Sequence, residues 1–461
     1  MRGRAGIRVL TTLALGLFAV GPSSAQESPP ILKRQLGNGL SVWIAQYHDV
    51  PVVQMSLVVP TGIGDDPPGQ FGIASLTSAL LTRGAGARSA SAITATIESL
   101  AANLTTSSGI DSSSVQMHVP ASRIDSAVSL MADVVERPTF PQSELDRIRQ
   151  ERSVTLQYAR QDPDVTASLV FSRVVYGPSH RYGTSLIGTA ETLRAFKRAD
   201  LIAFHQSAYR PESSTLIVVG DVVAGEVLRL VDAEFGAWRP PADGRVSSPA
   251  AAIPKNSSRR VVLIDQPEAP QSRIRIGGVG AARSTPEFFA IEVMNRVLSA
   301  RLNARLRSYA SNAGSGFDMR KLPGPFVAAA VVPTDRTAES LTAFFGELSA
   351  MLADVPAAEL ARAKDDIRLP TFDATGRVSI RLQALETLCV YGLPDDYFAT
   401  YLRSIQAVTS SDIRRVAETY LQPDRLAVVI AGDLKRIEPA IRALKLGPVE
   451  VMTADDVLTL R

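Results

Sequence analysis

The chain has 461 residues, 45% of them apolar, which is enough for large buried cores and two to four domains. It carries 49 basic against 46 acidic side chains, and three of the basic ones are Arg2, Arg4 and Arg8; without that leader the charges balance, which excludes a polybasic nucleic-acid or membrane-surface binder. Cys389 is the single cysteine, so an internal disulfide is excluded as well.

The first segment reads as an address rather than a fold. After the basic start come the apolar run Val9 to Val20 and the small residues Ser23-Ser24-Ala25, the pattern of a secretory signal peptide over residues 1–25. The run is shorter than the roughly 20 residues that span a bilayer. Export follows as the expectation, to a periplasm or out of the cell, with no membrane anchor.

Leu36-Gly-Asn38-Gly39-Leu-Ser-Val-Trp-Ile44 then joins an Asn-Gly turn signal to alternating apolar residues, and Pro51 to Pro60 reads as a second strand. Helical patterns cover Ile73 to Leu81, Ile124 to Val135 and Gln142 to Ala159. A further helix opens at Asp200, an N-cap residue type, and stops before Pro211; Leu216-Ile-Val-Val-Gly220-Asp221 is a buried strand closed by a turn. Residues 241–258 are rich in Pro, Ser and Gly and read as a linker between domains at 30–240 and 259–450. Beyond it, strands at Val261 to Ile264 and Gln271 to Ile276 precede helices at Phe288 to Leu306, Ala338 to Leu352 and Ala357 to Ile367.

The second half repeats the first. Asp200, Pro211, Gly220 and Asp221 recur 212 residues later as Asp412, Pro423, Gly432 and Asp433, with Ser411 or Asp412 as the matching cap. Val175-Tyr176-Gly177 recurs at an offset of 215 as Val390-Tyr391-Gly392. The expected fold is α+β: two homologous domains, each a mostly antiparallel sheet packed with helices.

These residues carry a resemblance. Leu36-x-Asn38-Gly39-Leu40-x-Val42, Pro51 and Gly62 open the chain; Tyr182-Gly183, Gly188-Thr189 and Tyr209-Arg210-Pro211 end its first half. Glu359-Leu-x-Arg-Ala-Lys364, Tyr391-Gly392-Leu-Pro394 and Ala407-Val-Thr409 follow in the second. In order and spacing the chain resembles the pitrilysin/insulinase family of zinc metallopeptidases, which includes the mitochondrial processing peptidase. The resemblance implies two domains forming a clamshell around a chamber, where unfolded peptides add as a strand to a sheet edge.

It also implies chemistry that the residues do not supply. Active members carry His-x-x-Glu-His on a helix, two zinc ligands and a general base on one face, with a third ligand, a Glu, from a later helix. Zinc lowers the pKa of its bound water to about 7. The matching segment, Gly72 to Gly84, puts Ser75 and Ala79 at the His positions and Ser78 at the Glu position. The third ligand falls in Thr155-Leu-Gln157-Tyr158, where neither Gln157 nor Tyr158 is a carboxylate; Glu151 is close by but alone. Serine is a poor zinc ligand and alanine none.

The four histidines, His48, His118, His180 and His205, form no local pair. His118 reads as a strand residue, His180 and His205 as loop and helix-surface residues, and Cys389 as a buried, inert thiol. The family's substrate-contacting Arg and Tyr fall at Arg307 and Gly314, so half of that element is lost, and Arg307 is left as an ordinary surface arginine or a candidate substrate contact. No Gly-x-Ser-x-Gly elbow or phosphate-binding Gly-x-x-x-x-Gly-Lys loop replaces it.

Three functions stay open. The first is the non-catalytic subunit of a heteromeric peptidase, with no cofactor in this chain, zinc in a paralogous partner and a peptide as substrate. The second is a stand-alone peptide-binding or structural protein without hydrolysis. The third is a hydrolase using an unrecognised site.

Overall fold

The computed structural model describes residues 30–159, 161–239, 252–253, 258–367 and 374–453. The leader at 1–25 and nearly all of the 241–258 linker lie outside them. The first half contains strands β1 (Leu32–Gln35), β2 (Ser41–Gln46) and β3 (Val52–Val59), helix α1 (Ile73–Leu80), the short β4 (Gly84–Ala85) and β5 (Arg88–Ser89), and α2 (Ala90–Ser99). It continues with β6 (Asn103–Ser108), β7 (Ser113–Pro120), α3 (Ile124–Glu136), α4 (Gln142–Ala159), α5 (Pro163–Tyr176), α6 (Ala190–Ala195), α7 (Arg198–Ala208), β8 (Thr215–Gly220) and α8 (Ala224–Phe235). The second half contains β9 (Arg260–Asp265), β10 (Gln271–Val279), α9 (Phe288–Leu306), β11 (Ser311–Phe317), β12 (Pro325–Pro333), α10 (Thr337–Ala350) and α11 (Ala357–Asp366). It ends with α12 (Ala374–Tyr391), α13 (Tyr397–Ala407), α14 (Ser410–Tyr420), β13 (Ala427–Gly432), α15 (Leu434–Ala443) and β14 (Val449–Thr453).

The strands build two six-stranded sheets, β1-β2-β8-β3-β7-β6 and β11-β12-β10-β13-β9-β14. Read in opposite directions they superpose in topology: β2, β8, β3, β7 and β6 correspond to β9, β13, β10, β12 and β11. β2–β8 and β9–β13 are parallel, and the three following ladders in each sheet are antiparallel. The sixth position is filled from opposite ends of the chain, by β1 in one sheet and β14 in the other.

Both central strands are buried along their whole length, as their unbroken apolar sequences require of a strand covered on two faces. Leu216 and Val218 of β8 face the core shared with α1, α3 and α7, whereas Ile217 and Val219 pack against Val378, Leu385 and Leu388 of α12. On β13, Val428 and Ile430 face the helices of the second half, whereas Val429 and Ala431 pack against Ala167, Val170 and Phe171 of α5. The two halves therefore exchange equivalent helices. The repeated Tyr-Gly marks where each exchanged helix ends. The Tyr176 hydroxyl donates to Pro323 O (3.0 Å), in the β11–β12 loop, and the Tyr391 hydroxyl donates to Asp111 Oδ2 (3.0 Å), in the equivalent β6–β7 turn.

Two expectations need correction. α7 and α14 begin two residues before Asp200 and Asp412, with caps at Lys197 and Thr409, three residues before them. Each Asp sits in the first turn and accepts the backbone N–H of the cap residue, at 2.7 and 3.0 Å; the acid completes a capping arrangement rather than starting the helix. His180 and His205 are buried, not surface residues. His205 Nε2 lies 2.8 Å from Val135 O, and its ring stacks on Tyr209 and meets the edge of Phe140. His180 stacks on Tyr176 and accepts the Tyr182 N–H through Nδ1. Cys389, near the end of α12, is half-buried, and burial pushes its thiol pKa up. No helix among the described residues is long and apolar enough to cross a membrane.

Candidate functional site

The start of α1 is fixed by one carboxylate. Gly72, the N-cap, has φ +98°, and a Cβ there would meet Ile187 O at 2.7 Å, so only glycine fits. The Asp66 side chain, fully buried, accepts Gly72 N–H through Oδ2 (2.6 Å) and Ala74 N–H through Oδ1 (2.9 Å), satisfying two of the orphan donors of the helix. Its Oδ2 also pairs with Arg181 Nε at 2.9 Å. Arg181 in turn donates to Ser185 O and Leu186 O, tying the loop before α6 to the start of α1.

Along α1, Ile73, Leu76 and Leu80 point into the core, and Ser75 and Ala79 stay partly exposed on the other side. Ser78 is turned inward beside the hydroxyl of Tyr209, whose pKa burial pushes up to about 12. The backbone carbonyl of Ser78 accepts a hydrogen bond from Thr106 Oγ1 of edge strand β6 (2.7 Å). Ser75, Ser78 and Ala79 thus lie on one helix next to a sheet edge.

The segment expected to bring a third ligand is on α4, which packs against α1, but among the described residues no carboxylate from it bonds to α1. Gln157 and Tyr158 are exposed, Tyr158 by 67%. Glu151 is exposed and held by Arg147 at 2.5 Å. What reaches α1 is Arg152: its Nη2 donates to Ser75 O at 2.8 Å and to Ser75 Oγ at 2.9 Å. Burial lowers the guanidinium pKa to about 10, against the pull of the Asp66 charge, so it remains a cation at neutral pH. A zinc site needs three or four imidazole, thiolate or carboxylate donors. Here α1 offers two neutral hydroxyls and a methyl group, and the neighbouring helix offers a positive charge. The residues present do not fit the metal. Among the described residues, no group of three or more His, Cys, Asp or Glu is placed to hold an ion.

Nothing in the sequence pattern pointed to Arg152 or Asp66 as site residues by motif. A signal for Arg152 was present: it interrupts the stripe Leu145, Ile148, Leu156, whose helical spacing places all four on the face that packs inward.

The structure places Arg307 at the exposed C-cap of α9, with no hydrogen bond to Ser75, Ser78 or Ala79 among the described residues. Gly314 lies in β11, where a Cβ would meet Ser299 Oγ at 2.8 Å, and Tyr309 turns its ring under Arg336 instead. A cavity of about 310 Å³ also opens between the halves, lined by the Gly109–Ser112 turn, Asp318, Arg320 and the inner side of α12. Its charges are engaged: Asp111 by Lys321 N–H and Tyr391, Asp318 by Arg320, Glu386 by Gln116.

Comparison with known proteins agrees with the resemblance. Residues 42–174 match the model of the insulinase family, peptidase family M16, and residues 195–367 match that of the peptidase M16 inactive domain. An uncharacterized zinc protease of Mycobacterium leprae is 28% identical over 290 residues, 61% of this chain and 63% of that protein, so the match spans less than two thirds of its length. Mitochondrial-processing peptidase subunit beta of Blastocladiella emersonii is 21% identical over 476 residues, 95% of this chain and 97% of that one. The structure of the periplasmic protease PqqL from Escherichia coli superposes with a TM-score of 0.72 at 15% identity, covering 92% of this chain and 51% of PqqL. The chain belongs to peptidase family M16, the insulinase family.

Proposed function

We propose that this chain is the non-catalytic subunit of an exported, two-chain peptidase acting on unfolded peptides, with the zinc centre in a paralogous partner. The observation that carries the reading is the Arg152 guanidinium lying on Ser75, between helices where an active member has its metal ligands. A helix with that donor set cannot generate a metal-bound hydroxide, and among the described residues no group of three or more His, Cys, Asp or Glu is placed to hold the ion elsewhere. Two comparisons support pairing. The chain corresponds to about half of PqqL, and the Blastocladiella relative is named as a subunit. PqqL is a periplasmic protease, which accords with the leader at residues 1–25 of this chain.

The substrate track follows from the open edge of β6. Its residues alternate between exposed and half-buried, and among the described residues only β7 pairs with it, which leaves its outer backbone groups for an extended peptide. Arg307 is the candidate second contact, exposed and outside any ion pair among the described residues.

Reconstitution tests this. The mature chain is mixed with a family relative that carries His-x-x-Glu-His and is encoded beside it. A stable one-to-one complex, and hydrolysis of an unstructured peptide only when both chains are present, is the expected result. If no complex forms and this chain alone retains the peptide uncut, the stand-alone binding role replaces the subunit role.

A further inference from the structure

The surroundings of Arg152 go beyond the loss of a metal site. Both oxygens of Asp66, the acid nearest in charge, are already taken by Gly72 N–H, Ala74 N–H and Arg181. No carboxylate forms an ion pair with Arg152 among the described residues, and its buried Nη1 has no hydrogen-bond partner. A largely buried charge whose attracting carboxylate, Asp66, is already paired with Arg181 is costly to keep. What Arg152 gains is two hydrogen bonds, both to the residue at the first ligand position, from the helix that would bring the third.

We infer that Arg152 is the resident cation of this site: it ties α4 to α1 across Ser75, as a bridging metal would, and opposes the binding of a divalent ion. This rests on reading Ser75, Ser78 and Ala79 as the ligand positions. The consequence is that restoring those ligands alone does not restore the metal, because a guanidinium a few ångströms away repels a divalent ion through poorly screening protein.

The test compares zinc affinity, by dialysis and metal analysis of the folded chain, in S75H/S78E/A79H with Arg152 kept and in the same variant with Arg152→Met. Met is neutral and matches the Arg stem out to about Nε, so the packing of the stem is largely retained while the guanidinium is removed. Affinity rises about 100-fold with Met at 152 if the cation opposes the ion. A third variant, with Arg152→Glu, adds a carboxylate and binds tighter still. Equal affinity with Arg and with Met overturns the inference, whether both bind or neither does.

A second measurement needs no engineered ligands. In the otherwise native chain, Arg152→Met speeds hydrogen exchange of the Ala74–Leu80 amides about 10-fold, and Arg152→Lys does so by less. Unchanged exchange in R152M removes the tie between the helices. Neither readout depends on whether a partner chain exists, so failure here is distinct from failure of the reconstitution.

Discussion

Replacing Asp66 by Ala is expected to lower the unfolding free energy by about 3–5 kcal/mol, the range for breaking a buried ion pair by removing one partner. Three losses coincide. Gly72 and Ala74 lose the acceptor for their N–H groups, and Arg181, 5% exposed, is left as a buried charge. The remaining contacts of Arg181 at this site, to Thr184, Ser185 and Leu186, neutralise nothing. Urea denaturation measures the loss. A double variant with Arg181→Met separates the pair from the cap: D66A/R181M should cost less than the sum of the single changes, because the orphaned charge disappears. A D66A cost below about 1 kcal/mol would mean that this carboxylate is not what holds the start of α1.

The second large effect is on pH dependence. His205 is buried and neutral, with a pKa lowered to about 4 by burial, against an ordinary value of 6.5. The unfolded chain therefore takes up this proton first. The stabilisation is complete above pH 6.5 and is lost as the pH falls toward 4, up to about 3 kcal/mol. Glu136, one residue beyond the carbonyl that His205 meets, works the other way. Burial raises its pKa to about 7, so its contribution is complete below pH 4.5 and is lost as the pH rises through 7. Between pH 4.5 and 6.5 the two slopes oppose each other. The stability of H205F, followed by urea midpoints, should fall with rising pH across that window. E136Q should show the reverse slope. Parallel profiles for the two variants contradict these assignments.

Much of the fold was legible because its signals are local. The runs Leu216–Val219 and Val428–Ala431 are too apolar for a strand with a wet face, and both central strands are covered on two sides. The 212-residue repeat correctly implied two sheets of one topology. The exchange of α5 and α12 was not legible. An apolar stripe tells that a helix is buried, not which sheet buries it. The shift from 212 to 215 between the repeated Asp and Tyr-Gly markers says nothing of partners. His205 was misread for a related reason: α7 carries buried Leu201, Phe204 and Ala208 on one side and still buries His205 against α3 on another.

At the site, the flanks of α1, glycines and leucines at fixed spacing, are what set Ser75, Ser78 and Ala79 against the family's ligand positions. The replacement was hidden, since Arg152 lies 77 residues from Ser75 and belongs to an otherwise charged helix. A side chain that crosses between helices leaves no spacing to read. Arg307 stayed ambiguous for the opposite reason: an exposed arginine at a helix end needs no second explanation.

Metal analysis of the isolated mature chain, paired with a peptide-hydrolysis assay in the presence and absence of chelator, bears most directly on the central claim. With a guanidinium at Ser75 and no imidazole on α1, the chain should come off the column with no stoichiometric zinc and should leave an unstructured peptide intact. One tightly held zinc per chain, together with cleavage that stops on chelation, would contradict it.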